Sequence, residues 1–443
     1  MPKSTPLLSF GLAVAVVAAP GEAAQRRVDS SASGPTAIQT AIDKAALAIL
    51  PKVVAWRRDF HEHPELGNSE QRTAKVVAEE LRALGLQVKT GVAKTGVVAL
   101  LEGGKPGRVV ALRSDMDGLP VVEEVDLPFR SLATAAWAGQ KTGVMHACGH
   151  DNHLAILLGT AHVLSGLKSQ LGGSVKFIFQ PAEEGPPVGE EGGAELMVKE
   201  GVLENPRVDA IFGLHVFPYE TGTLAWRARG IMAASDAIDI VIRGRQTHGA
   251  QPWAGVDPIV VGSQIVLGLQ TLVSRQVDLT IAPAIVTIGA FNSGNRRNII
   301  PSEAKLLGTL RTFDQGMRAQ LMEKIQKTVT LIAQSAGATA EVTFGRGTPL
   351  TYNDSDLTTK MDATLRRVGG ARILPDVRPS TTSEDFAVFQ GKVPGIFFFL
   401  GVTPKGTPAA DVYANHSPRF FADEGALITG VRAMANLAID YLR

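Results

Sequence analysis

Cys148 and His150 stand one residue apart in the run His146-Ala147-Cys148-Gly149-His150-Asp151, and a glycine-containing turn lets both side chains reach one ion. Thiolate and imidazole are ligands of zinc and its first-row neighbours. Other ionisable groups follow apolar runs. Asp115 and Asp117 follow RVVALR, Glu183 and Glu184 follow SVKFIFQ and a proline, and His215 lies near the end of DAIFGLHV. His416 sits in the loop Ala414-Asn415-His416-Ser417-Pro418. Each piece alone has an ordinary reading. Cys-x-His is a short pattern, a lone histidine is more often a satisfied core residue, and adjacent glutamates usually form a solvated face. Here the glutamates follow an apolar strand and a proline, where a solvated face is less expected. Spacing does not tell Glu183 from Glu184. It says only that successive side chains diverge, so one can face an ion and the other a water.

These groups act together only if the elements between them converge. Residues 108–113, 174–180 and 209–216 read as buried strands. A helical pattern covers 36–60. A second helix is expected over 68–84, with Asn68 and Gln71 as a capping pair and Gly85 as a stop. Another is expected over 152–164, capped by Asp151 or Asn152. The alternation implies an α/β domain, a mainly parallel sheet with helices on both faces. In such sheets ligands bind beyond the carboxyl ends of the strands. From residue 236 the pattern changes. A strand over 236–243 is followed by a helix over 257–276, opened by Asp257 and Pro258. Strands over 284–291 and 300–313 come next. A helix over 314–336 carries Met317, Leu321, Ile325, Val329 and Ile332 on one face, and a strand over 339–344 closes the set. This βαββαβ order describes a ferredoxin-like unit of roughly 110 residues, an ordinary domain size. The expected division is a catalytic domain over 36–231, an inserted lid or dimerisation domain over 232–347, and a return to the catalytic domain over 348–443. Phe397 to Phe399 read as a buried strand rather than a substrate platform.

The chain has 443 residues, 45% hydrophobic and 20% charged, a globular composition rather than a disordered one. Its formal net charge of +1 gives no reason to expect nucleic acid or an anionic membrane as partner. Lys3, the apolar run 7–19 and the small residues Gly21 and Ala23 read as a secretory signal peptide over 1–23. The expected protein is therefore exported, periplasmic or secreted. The run is shorter than the roughly 20 residues that span a bilayer, so no membrane span is expected in the mature chain. An uncleaved anchor or a buried helix is the alternative. The one cysteine, Cys148, excludes an internal disulfide. A lone thiol in an oxidising compartment is a liability that a bound metal would remove.

Taken in order, the motifs resemble a known family. RRDFHEHPELG, ALRSDMDGLP, HACGHD, FQPAEEGPP, GLHV, THGAQP, NIIP, TSEDF, PGIFFFLG and NHSP run from Arg57 to Pro418. They are similar to the metallopeptidase and amidohydrolase family of hippurate hydrolases, N-acyl-L-amino acid amidohydrolases and auxin-conjugate hydrolases, related to glutamate carboxypeptidase and aminoacylase. The resemblance implies two divalent metal ions per subunit, zinc or manganese, with cobalt or nickel also compatible. It places the metal ligands on Cys148, His150, Glu184, His215 and His416 and the general base on Glu183. It implies hydrolysis of the amide bond of an N-acyl amino acid or a related small amide by a metal-activated water, with Glu183 as the proton carrier. A dipeptidase or carboxypeptidase using the same site is the alternative. A metal-loaded but inactive binding protein would have lost a base or a ligand, and none is missing here.

The resemblance also reaches the inserted domain. His248 matches a histidine that helps stabilise the oxyanion, often across a dimer interface, so a homodimer through this domain belongs to the expectation. Asn298 and Arg311 match residues that hold the substrate carboxylate, a task that suits the planar fork of arginine. From spacing alone, His248 would be a loop histidine and Arg311 a surface arginine. At least one of Asp115 and Asp117 is expected to orient a histidine ligand, and Asp151 either does the same or caps its helix. Glu384 and Asp385 are expected to support the site without an assigned role. His146 and His153 either line the mouth of the site or are structural, and His61, His63 and His162 carry no assigned function.

Overall fold

The computed structural model describes residues 36–345 and 347–443, so the expected signal peptide lies outside the described residues. Among them no helix is long and apolar enough to cross a membrane.

The three buried runs form the centre of an eight-stranded sheet. Its strands lie in the order Gln87–Val92, Gly96–Glu102, Gly172–Gln180, Lys105–Asp115, Ala210–Glu220, Gly395–Thr403, Leu224–Trp226 and Ile373–Pro375. The strands from Gly172–Gln180 to Gly395–Thr403 are mutually parallel, while the first two add on antiparallel. Side chains alternate between two cores, as a strand's period of two requires. Phe177, Phe179 and Phe398 face one core, and Ile178, Phe397 and Phe399 face the other. All are fully buried, and each such phenylalanine contributes roughly 1.5–3 kcal/mol by leaving water. The helices Ala37–Glu62, Gln71–Ala83, His150–Gly166, Ser355–Gly369 and Leu427–Leu442 cover one face, and the short helices Gly193–Lys199 and Phe386–Gln390 cover the other.

Two helix starts differ from expectation. Asn68 does not cap the helix Gln71–Ala83; it stands at φ 64, and its Nδ2 donates to Glu190 and to the Glu191 carbonyl. The free amides of Arg72 and Thr73 are taken instead by the carboxylate of Glu65, at 3.0 and 2.8 Å, an anion at the positive end of the helix. The helix His150–Gly166 begins earlier than expected, and neither Asp151 nor Asn152 is its cap. That position belongs to Gly149, at φ 88. A Cβ there would lie 2.3 Å from Val216 Cγ2, so conformation and space both require glycine. His150 therefore stands in the first helical turn.

A second, antiparallel sheet has the strand order Ala284–Ser293, Glu303–Thr312, Ala234–Arg243 and Thr339–Phe344. The helices Pro258–Arg275 and Gln315–Ser335 pack on it around a separate core, in the βαββαβ order. Asp257 accepts from the amides of Ile259 and Val260, and Asp314 from that of Met317. The strand expected over 300–313 is interrupted after Ile300, where Pro301 has no amide to give a ladder. Ile299–Ile300 pairs instead with Thr247–His248 as a small separate ribbon.

Candidate metal centre

The ends of two central strands, the inner part of a third, one helix start and one C-terminal loop meet at a single cluster. Cys148 Sγ lies 3.3 Å from His215 Nε2 and 3.2 Å from His416 Nε2, and His416 Nε2 lies 2.9 Å from Glu184 Oε1. Three overlapping groups, Cys148/His150/His215, Cys148/Glu184/His416 and His150/Glu183/Glu184, each bring their ligand atoms within 4.8 Å of one another. The five expected ligands and the expected base are thus brought together. His215 is not at its strand's end, because that strand continues to Glu220.

Backbone carbonyls set the imidazoles. His150 Nδ1 donates to the Asp117 carbonyl at 2.8 Å, and His215 Nδ1 to the Val216 carbonyl at 2.7 Å. A carbonyl only accepts, so each Nδ1 keeps its proton and each Nε2 is left to face the cluster. His150 Nε2 is buried without a hydrogen-bond partner among the described residues. Burial disfavours a charged His150, yet Asp115, Asp117 and Glu184 outweigh it and lift the ring to about 10. Burial, then the charges of Glu184 and Glu183, push the Cys148 thiol well above its ordinary range. Burial, then Glu384 and Glu184, raise Glu183 in the same way. The cluster crowds acidic side chains around a buried nitrogen that has no hydrogen-bond partner among the described residues. A set of sulfur, nitrogen and oxygen donors in that state fits metal ions, whose binding would displace these protons.

The acidic neighbours differ in what they touch. The Asp117 carboxylate accepts the Glu183 amide at 3.1 Å and the Glu184 amide at 3.0 Å, so Asp117 touches His150 and both glutamates. Asp115 Oδ1 accepts from His153 Nδ1 at 2.6 Å and is 3.8 Å from His150 Nδ1. His153 Nε2 in turn accepts the Val216 amide at 2.8 Å, which occupies both of its nitrogens beneath the cluster. Asp151 departs from both expectations. Its side chain turns away from the cluster to His61 Nδ1 at 2.8 Å and Arg57 Nε at 2.9 Å. His61 is held above its ordinary value against burial by Asp151 and by Glu123, which is 2.9 Å from its other nitrogen. His146 is buried rather than at the mouth, its two nitrogens have no hydrogen-bond partner among the described residues, and burial lowers it to about 4.

Sequence reasoning missed Arg113. It is fully buried and pairs with Asp115 at 2.8 Å, Glu384 at 2.9 Å and Asp385 at 3.1 Å. Glu183, Glu384 and Asp385 also bring carboxylate oxygens within 4.8 Å of one another. Glu384 and Asp385 thus support the site through Arg113. The available signal was a charge ending a buried strand, which demands partners.

A cavity of about 530 Å³ opens over the cluster, and Cys148, Glu183, His215, His416, Phe217 and Arg311 lie in its wall. Arg311 is not a free surface arginine; it is half-buried, and its Nη1 donates to Ser383 Oγ at 3.1 Å. His248 and Asn298 are exposed and do not line this cavity. They sit side by side on the small ribbon, where the Gly249 amide donates to the Asn298 carbonyl at 2.9 Å. Within one chain, neither residue reaches the wall of the cavity that holds Arg311.

Residues 111–440 match Peptidase family M20/M25/M40. The chain belongs to this family. It is 39% identical over 392 residues to thermostable carboxypeptidase 1 of Saccharolobus solfataricus, covering 88% of this chain and 95% of that protein. It is 41% identical over 307 residues to the N-acyl-L-amino acid amidohydrolase of Geobacillus stearothermophilus, covering 69% and 79%. The crystal structure of a dinuclear metal-binding peptidase of the M20 family from Bacillus subtilis superposes with a TM-score of 0.75 at 34% identity, covering 89% and 99% of the two chains. This M20 chain is a hydrolase of amide or peptide bonds, and its grouped ligand atoms support a two-metal site.

Proposed function

We propose that the chain hydrolyses the amide bond of N-acyl amino acids of the hippurate class. The observation that carries this reading is Glu183 beside the Cys148 cluster, in the wall of a cavity that also holds Arg311. Cys148, His150, Glu184, His215 and His416 would hold two divalent ions, and zinc or manganese suits this donor set. When bound, the ions would supply Lewis acidity to the scissile carbonyl and acidify the attacking water. Glu183 takes a proton from that water on its carboxylate and returns it to the leaving nitrogen. Asp117 keeps the two glutamates from exchanging places by holding both of their amides. Arg311, steadied by Ser383, receives the substrate carboxylate.

His248 and Asn298 complete the site from a second copy of the chain, an assignment supported by their exposure within one copy. The unit over 232–347 is then the lid and dimerisation domain, and the leader over 1–23 exports the mature enzyme. Similarity to a carboxypeptidase favours a second reading, release of a C-terminal residue from peptides at the same site. Elemental analysis of the purified protein, with turnover of benzoylglycine, acetylated amino acids and dipeptides, separates the two. Two ions per chain and a higher kcat/KM on acylated amino acids are expected. A preference for dipeptides selects the second reading. Substantial turnover by metal-loaded Glu183→Gln would remove the base from its role.

A further inference from the structure

The loop that carries Glu183 and Glu184 is gripped at three successive amides by buried carboxylates. Asp117 takes the last two. The first, that of Ala182, donates to Glu70 Oε1 at 2.8 Å. Glu70 lies 112 residues earlier, at the start of the helix Gln71–Ala83. Its other oxygen accepts from Thr95 Oγ1 at 2.6 Å. Glu70 is 0% exposed and Thr95 2%, and among the described residues the partners of the carboxylate are a hydroxyl and amides rather than a cation. Burial raises Glu70 to about 7 in spite of these hydrogen bonds, so solvation does not favour an acid here.

Geometry does. Ala182 stands at φ 49, a conformation that residues with a Cβ rarely adopt. The amide that fixes this φ is the one that Glu70 holds. The two segments are in close contact: a Cβ at Gly67 would fall 3.1 Å from Ala182 Cβ and 3.0 Å from the Gly185 carbonyl. With the next two amides held by Asp117, the Ala182 amide is the upstream anchor of the segment from which the Glu183 side chain projects. We propose that Glu70 is a positioning residue which, through the Ala182 amide, sets the direction in which Glu183 presents its carboxylate to the cavity. This rests on the reading of Glu183 as the base.

Glu70→Gln keeps an acceptor for the Ala182 amide and a partner for Thr95, whereas Glu70→Ala keeps neither. Both are assayed as full-length, metal-loaded protein beside wild type and Glu183→Gln, on benzoylglycine and on a dipeptide. The readouts are kcat, KM and metal content. Glu70→Ala should lose roughly ten- to hundredfold in kcat, the usual cost of deleting a supporting hydrogen bond at a metal site. Its KM should stay within about twofold, which marks a loss felt in the transition state rather than in binding. Its metal content should match wild type, and Glu70→Gln should recover most of the rate. A wild-type kcat in Glu70→Ala overturns the proposal, and so does an equal loss in both variants. Should Glu70→Ala fail to fold, Thr95→Val removes the hydroxyl that steadies Glu70 and should lower kcat at unchanged KM; an unchanged kcat in that folded variant also overturns it. An active Glu183→Gln overturns the base assignment and this proposal together. An inactive Glu183→Gln beside a fully active Glu70→Ala overturns this proposal alone.

Discussion

Replacing Arg113 by Met approximately conserves side-chain volume and removes a charge. The Arg113 side chain is 0% exposed, and its guanidinium faces Asp115 at 2.8 Å, Glu384 at 2.9 Å and Asp385 at 3.1 Å. Deleting one partner of a buried ion pair costs about 3–5 kcal/mol, because the other charge stays behind. Three carboxylates share this cation and their losses do not simply add, so about 3–5 kcal/mol is the floor. Native proteins hold about 5–15 kcal/mol in all, which leaves Arg113→Met marginally folded at pH 8. The deficit should depend on pH. Burial raises Asp385 to about 7 although Arg113 opposes it, and burial raises Glu384 likewise. Acids whose folded pKa exceeds the unfolded value bind more protons when folded. Their contribution therefore falls as pH climbs from about 4 towards the folded values. Without Arg113 both acids move further up, and the fall continues to higher pH. The gap between variant and wild type should thus widen from pH 5 to pH 8. Urea unfolding at the two pH values measures it. A gap under about 1 kcal/mol at pH 8, the size of an ordinary substitution, would refute the reasoning, as would a gap that does not grow with pH.

Cys148→Ala removes the sulfur shared by His215 and His416 and should lose at least one ion per chain; full metal content by elemental analysis would take Cys148 out of the ligand set. Arg311→Ala should raise KM for acylated amino acids by roughly tenfold or more, the worth of a charged hydrogen bond, and leave an N-acyl amine without a carboxylate unaffected. Steady-state kinetics on the two substrates decides this. Mixed His248→Ala and Glu183→Gln subunits should regain activity that neither has alone, and no recovery after proven subunit exchange would count against a shared site.

The candidate centre is legible through the ordered family motifs; residue type and position alone bring its members forward as candidates and leave Glu183 and Glu184 undistinguished. The caps Asp257 and Asp314 are legible for a different reason: cap and first turn are sequence neighbours. Asn68 misleads because the free amides of the helix it precedes go to Glu65, which lies outside the local cap pattern. Asp151 misleads because a helix turns successive side chains by about 100°, which carries it from His150's side towards Arg57 and His61. The partners of Arg113 and Glu70 are silent in the sequence, since Arg113 meets Glu384 across 271 residues and Glu70 meets Ala182 across 112. The resemblance names His248 and Asn298, which within one chain stay exposed outside the cavity.

Cys148 and His416, whose sulfur and nitrogen are 3.2 Å apart, are separated by 268 residues. The whole antiparallel sheet and its two helices are made between them. His416 follows Gly395–Thr403, which pairs with Ala210–Glu220 in the large sheet, so the donor set is complete only once that late strand has entered. Pairings so distant along the chain form slowly, and their entropy must be spent before they give anything back. An ion that needs both residues would be captured only by a chain that has finished folding, and its capture would draw the equilibrium further that way. Metal loading in such a protein would be a late checkpoint, passed only by a chain that has closed its last loop.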